Sequence, residues 1–97
     1  MNTQRTPAFL MANLGSEMSQ IFQFKSTNQM DMAKSSAERA YKIIDSFMIL
    51  EDAGEGKKEV EIIRTIIKDV ISEKPQLNIS EKELNSYFIP FAKRVIV

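Results

Sequence analysis

The sequence predicts an all-α chain, a single domain over 1–97 built as an up-down antiparallel four-helix bundle. Three observations predict it. Apolar residues recur at steps of three and four in four separate segments. Short stretches of turn-forming residues divide those segments, and short connections favour antiparallel neighbours. With 43% hydrophobic and 27% charged residues but only three Gly and three Pro, the composition is that of a folded globular chain.

The first helix is expected over 7–25. Thr6 offers a capping hydroxyl, and Pro7 suits the first helical position because its missing N–H would be unpaired there anyway. Met11, Leu14, Gly15, Met18, Ile21 and Phe22 share one stripe, and the glycine in it predicts close approach by a neighbour. Glu17 is the only charge before Lys25, so the rest of the helix is polar but uncharged and is cheaper to bury than a charged face.

The second helix is expected over 29–51, with Asn28 as its cap and Asp31 facing the positive end of its dipole. Ala33, Ala37, Ala40, Ile44 and Phe47 form a contact face that tapers from small to large. Lys34, Glu38 and Lys42 mark the opposite, solvated side. Gly54 and Gly56 then break the chain.

A third helix is expected over 57–74. Val60, Ile62, Ile63, Ile66, Ile67, Val70 and Ile71 are all β-branched, which favours strand by intrinsic propensity. Their paired four-residue spacing does not alternate, however, and Lys57, Glu61 and Arg64 fit helical ion-pair spacing. Pro75 terminates this helix. Ser80 and Glu83 form a capping box for a fourth helix over 81–96, with Leu84, Tyr87, Phe88, Phe91, Ala92 and Val95 as its stripe. Pro90 removes the bond to the Ser86 carbonyl, so a kink or a division into two short helices is expected near Ile89.

The side-chain inventory excludes much chemistry. Thirteen basic residues balance thirteen acidic ones, and the balance is local: residues 1–25 carry a net +1, 26–52 carry −2, 53–74 carry zero and 75–97 carry +1. No basic stripe of the kind that dominates nucleic-acid affinity is evident. Without Cys there is no disulfide framework, thiolate zinc site or thiol nucleophile. Without His the usual general base and the commonest metal ligand are missing. No metal and no cofactor are expected, and Asp45, beside Ile44 and Phe47, is the one acid whose position invites inspection. No apolar run reaches membrane-spanning length, and Met1–Arg5 does not open a signal peptide, so a cytoplasmic location is expected.

Asp31–Asp45, with its alanines and aromatic spacing, is similar to the second helix of a tetratricopeptide repeat, and Leu14-Gly15 resembles the Leu-Gly pair of that repeat's first helix. The separation of Leu14 from Ala33 is longer than that repeat allows, and no second copy follows. Size and helical content resemble the HEPN family of small helical RNases, whose cutting motif requires a His that this chain lacks. Helical chorismate mutases bind a dianion through cations on a long first helix, and here that helix has none between Pro7 and Gln23.

The expected role is therefore non-enzymatic: protein–protein association, with a homodimer or another protein as partner. The candidate partner surface comprises Met11, Met18, Phe22, Ile62, Ile66, Phe91, Val95 and Ile96. For Met11 and Met18, and for the Tyr87, Phe88 and Phe91 set, core packing is the first expectation and a partner-binding surface the second. The alternative function is a non-catalytic HEPN-like accessory protein binding RNA or DNA through Lys93 and Arg94. A cofactor-free helical enzyme is a more distant one.

Overall fold

A computed structural model describes residues 6–50, 54 and 56–96, with side chains through Pro90 and at Lys93. Four helices pack together: α1 (Pro7–Ser26), α2 (Met30–Met48), α3 (Gly56–Val70) and α4 (Glu81–Ile96). Among the described residues there is no strand. α1 lies most extensively on α2; α2 also meets α3, α1 meets α4, and α3 touches α4. One buried cluster draws on all four helices.

α1 begins as its sequence dictates. The Thr6 hydroxyl accepts from the Phe9 amide at 3.1 Å, with Pro7 in the first turn. Its buried stripe is Leu10, Met11, Leu14, Met18 and Ile21. This stripe meets the small side of α2, where Ala33, Ala37 and Ala40 are each fully buried, and Ile44 and Phe47 fill the wider end. Alanine permits close backbone approach and loses no side-chain entropy on burial, so a long, tight seam costs little to order. Lys34, Glu38 and Lys42 are solvated, as the spacing predicts.

Three expectations about helix ends require correction. Asn28 does not cap α2: its backbone is left-handed (φ 64°), its amide reaches the Lys25 carbonyl, and it closes α1 instead. Gln29 occupies the cap position without a side-chain bond to the helix, its amide nitrogen donating instead to the Thr27 hydroxyl at 2.9 Å. α2 stops at Met48, short of 51. α3 stops at Val70, short of 74, because tertiary and loop contacts capture its end: the Lys25 ammonium donates to the Val70 carbonyl at 2.8 Å, and the Asp69 carboxylate accepts from the Gln76 and Leu77 amides at 2.8 and 3.1 Å. Gly54, in the break, has φ +55°, while Glu51–Ala53 and Glu55 lie outside the described residues.

α4 opens with the anticipated reciprocal box. The Glu83 amide donates to the Ser80 hydroxyl at 3.1 Å, and the Ser80 amide donates to the Glu83 carboxylate at 3.2 Å, an arrangement that stabilises a helix start by about 1 kcal/mol. The helix is not divided into two: it runs through Pro90. Leu84 and Phe88 are buried. The ring of Phe88 lies against α1 where residue 15 has no side chain, and a Cβ placed there would meet Phe88 Cε2 at 3.1 Å. Gly15 is thus the notch that lets α4 sit on α1.

Candidate functional site

The polar side chains of α1 that carry almost no charge are matched across the α1–α2 seam. Arg39 Nε donates to both Glu17 oxygens at 3.1 Å, Arg39 Nη2 donates to Ser36 Oγ at 3.0 Å and to Gln20 Oε1 at 3.3 Å, and Ser36 Oγ donates to Gln20 Oε1 at 3.3 Å. Ser36 is fully buried, yet its hydroxyl is satisfied. Sequence reading located Glu17 but not its partner. The available signal was that Glu17 and Arg39, like Gln20 and Ser36, sit where a hairpin would place them opposite one another.

A second cluster joins α2 to α3. Arg64 donates through Nη2 to Asp45 at 2.6 Å and through Nε to Glu61 at 3.2 Å. Asp45 is therefore an exposed ion-pair partner rather than a buried acid beside Ile44 and Phe47. The hydrogen bond from Arg64 to Asp45, with the charges of Glu61 and Asp45, raises the guanidinium above its ordinary value against the opposing effect of burial. Burial raises the nearby Tyr41 phenol, opposed by the Arg64 charge. Both shifts run away from neutrality, so neither group is tuned to exchange protons there. The Tyr41 hydroxyl is shielded from solvent and has no hydrogen-bond partner. On the other side of α3, the Tyr87 hydroxyl donates to the Glu59 carboxylate.

The residues proposed as a partner surface divide sharply. Met11, Met18 and Ile66 are 1%, 2% and 9% exposed, so their thioethers and branched chain fill the core and offer no outer face in this fold. Phe22 packs partly against that core. Ile62 is 47% exposed on α3 and Ile89 is 49% exposed on α4. Glu81, Lys82, Asn85, Ser86, Ile89 and Pro90 line an open groove along α4. Lys93 is exposed. The side chains of Phe91, Arg94, Val95 and Ile96, and all of Val97, lie outside the described residues.

Among the described residues no three acidic side chains converge on a common point, and no helix is long and apolar enough to cross a membrane. No protein family, curated protein or solved structure matches the chain.

Proposed function

We propose that this chain is a non-enzymatic, up-down four-helix bundle that acts by protein–protein association and pairs with a second copy of itself. The observation that carries the reading is the set of large apolar side chains left exposed outside the shared core, among them Ile62 on α3 and Ile89 on α4. Single exposed apolar residues are ordinary on a protein surface. Among the described residues six large ones are exposed, and Ile89 borders a groove with Pro90, which is surface that a partner would cover.

The up-down arrangement is supported by three contacts. Glu17 meets Arg39 and Gln20 meets Ser36, so positions rise along α1 as they fall along α2. Lys25, near the end of α1, reaches the carbonyl of Val70 at the end of α3, which places those two termini together. The absent N–H of Pro90 supports a bend in α4 near Ile89.

Sedimentation equilibrium across a wide concentration range tests the reading. A reversible dimer is expected, weakened when Ile62 and Ile89 are both replaced by Glu; a strict monomer at the highest concentration overturns it. A salt-dependent mobility shift with RNA or DNA, lost on neutralising Lys93 and Arg94, would favour the nucleic-acid alternative instead.

A further inference from the structure

We propose that α4 is an exchangeable helix, which leaves its own bundle by pivoting at Asn78–Ile79 and takes the same seat on a second copy. The inference rests on the self-association proposed above and specifies how the pair is built. The connection from α3 to α4 is fastened on both sides of one short step. Before it, the Asp69 carboxylate holds the amides of Gln76 and Leu77. After it, Ser80 and Glu83 hold one another. Between these clasps stand Asn78, exposed and left-handed at φ 51°, and Ile79. A non-glycine residue in that conformation is strained, although Asn tolerates it better than most. Straightening the step releases the strain and carries α4 away as a rigid, capped helix.

The seat itself already shows what fits it. Phe88 enters the notch at Gly15, Leu84 is buried, and Tyr87 bonds to Glu59. A second copy's α4 presents the same three groups, so exchange requires no new complementarity. Met11, Leu14 and Met18 lie near Gly15 on the buried α1 stripe, where flexible thioethers can adjust as a helix is re-seated at the notch.

The chain contains no Cys, so Glu59→Cys with Tyr87→Cys provides a unique reactive pair across the α3–α4 contact. A short bis-maleimide is applied to the dimer, circular dichroism checks that the helices persist, and the product is read on a denaturing gel. Covalently linked dimers are expected. A sedimenting dimer in which every link is intrachain overturns the exchange and leaves association standing; a protein that is only monomeric overturns both. Hinge variants leave the seat intact: Asn78→Gly, which accommodates φ 51° freely, is expected to raise the dimer dissociation constant by about tenfold, and Asn78→Val to lower it by about tenfold. Unchanged dimerisation in both overturns the pivot and with it the exchange.

Discussion

The α1–α2 seam and the seat of α4 on α1 are both close helix contacts made possible by small residues, but they are built differently. In the seam, closeness is spread over Ala33, Ala37 and Ala40 and reinforced by hydrogen bonds among Glu17, Gln20, Ser36 and Arg39. At the seat, it is concentrated where one aromatic ring meets one glycine. Distributed contact resists both sliding and separation, because every turn must give at once and a buried hydroxyl would lose its partners. A single notch positions a helix while leaving it separable.

The largest effect is expected from crowding the seam. Ala37→Leu inserts a branched side chain where Ala37 is fully buried, and a loss of about 1–3 kcal/mol in urea unfolding is expected. Full stability in that variant would mean the seam has slack, and the contrast with the seat would fail. Gly15→Ala probes the seat. Alanine favours the helix by about 1 kcal/mol over glycine, whereas its methyl would stand 3.1 Å from the Phe88 ring. The two effects nearly cancel in the parent chain. In a Phe88→Leu background the same change should stabilise by about 0.5–1 kcal/mol, and the double-mutant cycle reads the difference as coupling. An absence of coupling would remove Phe88 from the notch.

The smallest effect lies outside both contacts and serves as their control. Tyr41→Phe deletes a shielded hydroxyl without a partner, so stability at neutral pH should be unchanged or higher by up to about 1 kcal/mol. Because the folded phenol is raised above 10.0, the folded state holds its proton more tightly than the unfolded state. That contribution is present below the ordinary phenol range and is lost as pH climbs through the higher folded value. Unfolding midpoints at neutral and strongly alkaline pH should therefore fall less steeply in Tyr41→Phe than in the parent. Equal slopes would place the phenol in solvent.

Much of the helical framework was legible because it depends on local spacing and capping. The Ala33-to-Phe47 face, the Thr6 cap, the Ser80–Glu83 box and the role of Gly15 all follow from neighbours within a turn or from the size of one residue. The ends of α2 and α3 were not legible. The end of α3 is set by Lys25, distant in sequence, and by an Asp69 carboxylate that turns back on the following loop. Asn28 misled because a short polar side chain suits both the start of one helix and the left-handed close of another. The candidate surface was half legible for a similar reason. Methionine spacing identifies the inward stripe of α1 but does not distinguish a core from an interface, and only the packed arrangement separates buried Met11 and Met18 from exposed Ile62.

The meeting of Phe88 with Gly15 also constrains how this chain can change over generations. A residue larger than alanine at position 15 requires position 88 to shrink, and a smaller residue at 88 leaves a void that a side chain at 15 can fill. Descendants should therefore alter these two positions in concert, carrying a small–large pair or its reverse, while the three alanines of the seam stay small independently of either.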